Sequence, residues 1–435
     1  MLTRDIPLEQ AVLDLVDNCV DGAKRVALAL QNGDANEPVH DGRWVKIDFD
    51  KDTFRIHDNC GGFDRSTAAT YAFRFGRPRN ARGTAHSIGQ FGVGMKRALF
   101  KFGRHFAVQS ATTEECWAIS VDVSAWEQTE GDWTFPWSTI DTSSPISTEQ
   151  PGTDIRVTQL RQEVSNRFSS PNFFNAIIAL IKSKHRQFIA EGLAIFVNGS
   201  RVNATDIRLL MSDKLVPGVD ALEFTEGGDL VTAKIIVGVG QSSPREAGWY
   251  VVCNGRVVLE ADRRATTGWG LVEDAAGRTV IPTFHNQFAR FRGFVFFDSE
   301  DSARVPWNTT KTDVDQDSIV WVKTFARMLE MMRPVIDFLN ELDQDIDEHS
   351  RENSPLLDHV SKANMAIPES FTKAAPRKTE FLAPARGSLT KGPKFVKIQF
   401  SRPAQDIEFL QDALGVSSAK AVGETCFDLE LERQR

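Results

Sequence analysis

The sequence predicts an α/β fold. Helices layer on a mixed or antiparallel sheet, followed by a second α/β domain, a long helix and a small β-α-β module. Three observations predict this. Helix and strand periodicities succeed one another as helix, strands, lid, helix, strands over roughly the first 160 residues. A G-x-x-G-x-G cluster, Gly89 to Gly94, runs straight into the helix-forming segment Met95 to Phe102. Further on, strand-like runs turn back at Asn198-Gly199 and Asn254-Gly255. At 435 residues the chain has room for two or three domains.

Composition narrows the class. Hydrophobic content of 41% and charge of 25% are those of an ordinary soluble protein, and no apolar run reaches the roughly 20 residues of a membrane span. Met1-Leu2-Thr3-Arg4-Asp5 is no signal peptide. The five cysteines never form a C-x-x-C pair and the eight histidines show no ligand spacing. That sets aside a disulfide framework and a zinc site, and points to reduced thiols in a cytoplasmic protein. A net charge of −8 argues against a uniformly nucleic-acid-coated surface, though not against a local basic patch.

The elements follow in order. From Pro7 to about Leu30, apolar residues fall near a 3.6 period, with Pro7 suited to a first helical position. Asp14, Asn18 and Asp21, spaced i, i+4, i+7, share one face of that helix. Trp44 to Phe49 alternates as a strand, Thr53 to His57 is its hairpin partner, and Asp58-Asn59-Cys60-Gly61-Gly62 closes it. Phe73 to Gly83, with Arg74, Arg77, Arg79 and Arg82, reads as a mobile lid or a solvated basic loop. The glycine cluster offers positive φ, close backbone approach and the free N–H groups of a helix start, a natural seat for phosphate. An ordinary turn and cap needs the same residues. Met95 between Gly94 and Lys96 breaks the P-loop pattern, and the glycine order reverses the dinucleotide fingerprint. Strands follow at Phe106 to Ser110, Trp117 to Val123 and, after Pro151-Gly152, Thr153 to Val157.

Taken together, Asp14-x-x-x-Asn18, Asp58-Asn59-Cys60-Gly61-Gly62, Ile88 to Gly94 and Gly152-Thr153 resemble, in order and spacing, the ATP-binding boxes of the GHKL superfamily of gyrase, heat-shock chaperone, histidine kinases and MutL. The run Gly94-Met95-Lys96-Arg97-Ala98 through Phe106 looks most like the Microrchidia (MORC) branch. The resemblance implies a Bergerat-type sandwich over residues 1–165 that binds ATP and Mg²⁺. It implies that Asn18 holds the Mg²⁺, that Asp58 accepts from the adenine amino group with Thr153 and Gly62 nearby, and that Gly89, Gly92, Val93, Gly94, Met95 and Lys96 surround the phosphates. Asp14 takes the position of the family's catalytic glutamate, and Cys60 that of the first glycine of D-x-G-x-G. The shorter carboxylate implies slow hydrolysis.

Residues 166–330 read as a second α/β domain. A helix spans Asn172 to about Glu191, and strands cover Leu193 to Val197, Ala233 to Val239, Gly248 to Val252, Arg256 to Leu259 and Gly293 to Phe297. It resembles the ribosomal S5-like transducer of the same superfamily, in which Val305 to Lys311 matches the loop that returns a cation, here Lys311, to the γ-phosphate. Val314 to about Asp345 is a long helix that Pro334 should kink or divide, ending over residues 331–350. Residues 351–392 read as a basic linker, and 393–435 as a module with strands at Phe395 to Phe400 and Thr425 to Leu431 around a helix at Asp406 to Leu414. The resemblance implies an ATP-dependent homodimer. The basic residues between Lys373 and Arg402 suggest a DNA-acting clamp in bacterial genome maintenance or anti-phage defence. The competing expectation is an ATP switch that recruits a protein effector through its C-terminal module. A histidine kinase is disfavoured by the short stretch before Asp14, and a self-sufficient topoisomerase by the absence of a recognisable cleavage domain.

Overall fold

A computed structural model of the protein describes residues 6–30, 39–73, 85–89, 94–128, 135–271, 281–373, 378–386 and 398–435. The lid residues Arg74, Arg77, Arg79 and Arg82 lie outside them, as do Gly92, Val93, Arg377, Lys391, Lys394 and Lys397.

Helix α1 (Leu8–Ala29) leads into the hairpin of β1 (Trp44–Phe49) and β2 (Phe54–Asp58). A short turn α2 (Arg65–Thr67), capped by Asp64, precedes α3 (Gly94–Phe102). Strands β3 (Gly103–Ala111) and β4 (Cys116–Asp122), the turn α4 (Val123–Trp126) and β5 (Gly152–Leu160) come next. Helices α5 (Gln162–Phe168), α6 (Pro171–Lys184) and α7 (Arg186–Ala190) then lead to β6 (Ala194–Val197) and β7 (Ser200–Val202). The single helix expected from Asn172 to Glu191 is broken at His185, whose φ of −111° leaves the helical range.

These strands form one seven-stranded mixed sheet in the order β4-β3-β5-β2-β1-β6-β7. Strand β6 pairs parallel with β1, Val45 opposite Ile195 and Ile47 opposite Val197. The sheet therefore runs past the expected boundary at residue 165. Helices α1 and α3 pack together, and α6 touches α1 on one side and the second sheet on the other.

The second sheet has five strands. After β8 (Leu209–Met211) come β9 (Gly218–Glu226), β10 (Asp229–Val239), β11 (Gly248–Cys253), β12 (Arg256–Asp262) and β13 (Phe291–Ser299). Their order is β12-β11-β13-β10-β9, with β11 and β13 parallel and the other pairs antiparallel. Both Asn-Gly turns adopt left-handed conformations, φ 44° and 76° at 198–199 and 47° and 85° at 254–255, as type I′ hairpin turns require. Helix α8 (Ile319–His349) packs on β9, β10 and β13 and is continuous through Pro334, so the expected division does not occur.

Two C-terminal expectations are corrected. Part of the expected linker is built into the second domain. Helix α9 (Pro355–Ser361) packs on α8, and β14 (Asn364–Ala366) pairs with β8. A short turn α10 (Ser370–Lys373) follows, and Thr379 and Leu382 bridge to Val219 and Val216. The terminal module is not β-α-β. It is a helical hairpin of α11 (Ala404–Leu414) and α12 (Ala419–Gln434), with Thr425–Leu431 inside the second helix and no strand at 398–400.

Candidate functional site

Helix α1 is buried at nearly every position from Leu8 to Ala23, including Asp14, Asp17 and Asp21. Within that run only Asn18 is exposed and Glu9 half-buried. A helix buried on all sides normally carries apolar residues. Four polar side chains on its central turns therefore mark the place where the sheet, the glycine segment and the second domain converge.

The face shared by Asp14, Asn18 and Asp21 lies along the described ends of the glycine segment. Asp21 accepts from the N–H groups of Ile88 and Gly89 at 2.7 and 2.6 Å. A Cβ on Gly89 would stand 2.9 Å from Asp21 Oδ2 and 3.3 Å from Asn18 Oδ1, and one on Gly94 would stand 3.1 Å from Asp14 Oδ2. Met95 is half-buried against the core. Lys96, two residues into α3, is buried, and that burial lowers its ammonium to about 8.

Asp58 ends β2 opposite Thr153 on β5. Its Oδ1 accepts from the Cys60 N–H at 2.8 Å, and burial raises its carboxyl to about 6 against the pull of that bond. Ser110 Oγ lies 3.0 Å from Thr153 Oγ1 and receives the Phe63 N–H at 3.0 Å. Cys60 needs no left-handed backbone; Gly61 and Gly62 supply it, at φ 86° and 57°. Gly62 is also pressed onto the sheet, since a Cβ there would meet the Ala111 carbonyl at 2.1 Å. Gly152 is equally tight, with a Cβ falling 2.0 Å from the Asp58 carbonyl. Both glycines let backbone touch backbone beside the Asp58 carboxylate.

Behind Asn18, Asp17 is fully buried and gathers donors from three distant segments. Arg256 Nε bonds both its oxygens at 2.7 and 3.0 Å, Lys311 Nζ donates to Oδ2 at 2.8 Å, and His185 Nε2 lies 2.8 Å from Oδ1. Burial opposes ionisation of Asp17, but Arg256, then Lys311 and His185, hold its carboxyl well below the ordinary range. His185 is itself shifted downward by burial despite Asp17, so the ring is neutral and donates through Nε2.

Asp14 is treated differently. Gln10 Nε2 donates to its Oδ1 at 3.1 Å, and Lys311 Nζ stands 4.0 Å from that oxygen. Its Oδ2 is buried without a hydrogen-bond partner, 3.6 Å from Arg97. Burial raises the Asp14 carboxyl, opposed by Lys311 and helped by Asp17. Two carboxylates three residues apart on one helix are thus pushed in opposite directions. Arg256, Lys311 and His185 favour the ionised form of Asp17, and burial favours the protonated form of Asp14.

Lys311 reaches this point from the second domain. It sits at φ 55°, which costs a side-chain-bearing residue roughly 1–2 kcal/mol. Its N–H donates to the Asn308 carbonyl at 3.0 Å, and its own carbonyl accepts from Arg256 NH1 at 3.1 Å. A second contact between the domains fixes the start of the glycine segment. Asn254 Nδ2 donates to the Ser87 carbonyl at 3.1 Å, Lys24 Nζ donates to the His86 and Asn254 carbonyls at 2.7 and 2.8 Å, and the His86 N–H donates to the Glu300 carbonyl at 3.1 Å.

The structure thus places Asp14, Asn18, Gly89, Gly94 and Lys311 in one region and Asp58, Gly62 and Thr153 in another, along the same helix and sheet. Sequence reasoning missed Asp17, Arg256, His185 and Gln10. The separations of 239 and 168 residues from Asp17 to Arg256 and His185 left no local spacing to read. Of the basic residues expected to face nucleic acid, Lys378 lies 3.6 Å from Asp220, and Arg386 pairs with Glu348 and lies 3.8 Å from Asp345. Among the described residues no three His, Cys, Asp or Glu side chains gather as a metal cluster, and no helix is long and apolar enough to cross a membrane.

Residues 6–153 match the family model described as histidine kinase-, DNA gyrase B-, and HSP90-like ATPase. No curated protein matches the chain. The matched span runs from the start of α1 to Thr153, so it takes in Asp14, Asn18, Asp58 and the glycine segment, while Arg256 and Lys311 lie beyond it. Over residues 6–153 the chain is thus similar to the ATPase domain of the GHKL superfamily, which supports ATP binding there.

Proposed function

We propose that this protein is a slow Mg²⁺-dependent ATPase in which ATP binding drives homodimerisation and movement of the second domain. The observation that carries the reading is Lys311 of the second domain reaching α1, where its ammonium bonds Asp17 at 2.8 Å and stands 4.0 Å from Asp14. The residues fit a nucleotide. Asp58 is a buried acceptor for an adenine amino group, Asn18 is the one exposed amide on a buried helix, and the orphaned Oδ2 of Asp14 abuts the backbone at Gly94. Asn18 would hold the Mg²⁺, which supplies charge neutralisation at the phosphate oxygens. Gly89, Gly92, Val93, Gly94, Met95 and Lys96 would surround the phosphates.

In the reaction, Asp14 takes the proton of the attacking water as oxygen bonds to the γ-phosphorus. The bond from phosphorus to the bridging oxygen breaks, and ADP leaves. Lys311 balances charge on the transferred group. Within the superfamily, Gly94 to Ala98 and Gly103 to Phe106 resemble the MORC branch.

Adenosine binding tests the base site without phosphate titration. Asp58 accepts most strongly when ionised, and burial raises its carboxyl to about 6. Below that pH the ionised fraction falls about tenfold per unit, and affinity falls with it. Calorimetry across pH 5 to 8 is expected to show this limb in the parent and a weak, pH-flat response in Asp58→Asn. A flat parent curve removes Asp58 from base recognition.

Of the two expectations for the C-terminal part, we favour the protein effector over the DNA clamp. Support comes from the pairing of Lys378 and Arg386 with acidic side chains, and from a terminal hairpin that exposes Phe409 and Phe427 among acidic residues. Fluorescence anisotropy with duplex DNA at two salt concentrations separates the two. Binding that weakens steeply with salt reinstates the clamp.

A further inference from the structure

Asp17 has no place in the nucleotide contacts just proposed. It is fully buried, about 100° round α1 from the exposed Asn18, in a setting where apolar side chains serve stability as well as ion pairs do. What it does instead is close a ring. Its carboxylate takes the ammonium of Lys311 and the Nε of Arg256, and the same guanidinium returns a bond from NH1 to the Lys311 carbonyl. Both ends of Lys311 are thus referred to one carboxylate on α1, although its left-handed backbone is one a lysine does not adopt unaided. His185, at the break between α6 and α7, donates to the other oxygen and keeps the carboxylate from turning. The ammonium ends 4.0 Å from Asp14, which lies four residues, about one turn, before Asn18 on the helix.

We infer that Asp17 is the positioning residue for Lys311: through Arg256 and its own carboxylate it holds the second domain's lysine at the mouth of the phosphate site. The inference rests on the reading of Lys311 as the cation that serves the γ-phosphate. It adds a residue that touches no substrate yet sets where that cation stands.

The test uses the full chain and two readouts. In the nucleotide-free protein, an amine-reactive reagent followed by mass spectrometry measures the exposure of Lys311. Asp17→Asn is expected to raise labelling of Lys311 at least tenfold while Lys96 stays protected, which separates local release from general loosening. In steady-state phosphate release, Lys311→Met is expected to lose about 100-fold, Asp17→Asn about 10- to 100-fold, and the double variant no more than Lys311→Met alone. ADP affinity is expected to stay within about threefold in all three. If Asp17→Asn does not fold, Asp17→Glu keeps the charge and shifts the ammonium by about one bond length, roughly 1.5 Å, and is expected to lower turnover about tenfold with ADP affinity retained.

Losses that multiply in the double variant, or unchanged Lys311 labelling in Asp17→Asn, overturn the positioning role. Parental turnover in Lys311→Met overturns the phosphate role of the lysine instead, and the labelling result then decides separately whether Asp17 holds it.

Discussion

Replacing Asp14 with alanine is expected to leave ATP bound and to cut hydrolysis by about 10²-fold or more. A positioned general base contributes about 10²- to 10⁴-fold. Asp14 is placed as one would be: Gln10 fixes one oxygen at 3.1 Å, and the other is buried with no hydrogen-bond partner, 3.6 Å from Arg97. Its raised carboxyl also moves the acid limb of the rate above the ordinary aspartate range, because the base works only when ionised. The carboxylate is set back by one methylene, roughly 1.5 Å, from where a glutamate would reach. A misplacement of about 1 Å costs on the order of 10²-fold. Asp14→Glu is therefore expected to keep or raise turnover. Phosphate release from the three proteins, with ADP affinity measured alongside, decides the point. Turnover of Asp14→Ala equal to the parent makes Asp14 a buried structural carboxyl and moves the base elsewhere.

The second large effect is on stability. Gly152→Ala places a methyl group 2.0 Å from the Asp58 carbonyl oxygen and 2.9 Å from its carbon. Those atoms are backbone of β2 in the middle of the seven-stranded sheet, where five register pairs tie it to β5. The strands must part or the chain must twist, at about 3 kcal/mol. Asp58 moves with them, so adenosine binding is lost in the same variant. Gly423→Ala is the control. It lies in α12 with nothing within 4 Å, and helix propensity favours alanine there by up to about 1 kcal/mol. Chemical denaturation of both proteins is the measurement, and a midpoint for Gly152→Ala at the parental value contradicts the packing argument.

Local features of the chain were legible and non-local ones were not. The helix of α1, the hairpin of β1 and β2, the start of α3 and the two Asn-Gly turns follow from periodicity, proline and turn chemistry, each decided within a dozen residues. The pairing of β6 with β1 was not legible, because the two strands lie some 150 residues apart and carry no mark of each other. Thr425 to Leu431 shows how a pattern misleads. Phe427, Leu429 and Leu431 alternate as in a strand, yet all three are exposed. With no face to bury, the helix propensity of leucine and glutamate prevails over the alternation. In the site, Asp14, Asn18 and Asp58 stood out because the motifs that hold them resemble those of a known family in order and spacing. Asp17, Arg256 and His185 did not, since their meaning exists only where three segments meet.

That meeting has a thermodynamic consequence. The cations that neutralise Asp17 lie 239 and 294 residues downstream, and β1 is covered by a strand beyond residue 190. A fragment ended at residue 165 uncovers the edge of β1 and leaves Asp17 as a buried carboxylate without Arg256, Lys311 or His185, a loss of about 3–5 kcal/mol for breaking such a pair. The first half is therefore expected to be less stable alone than within the full chain, and a ligand that tightens it is expected to raise the melting temperature of both halves by linkage.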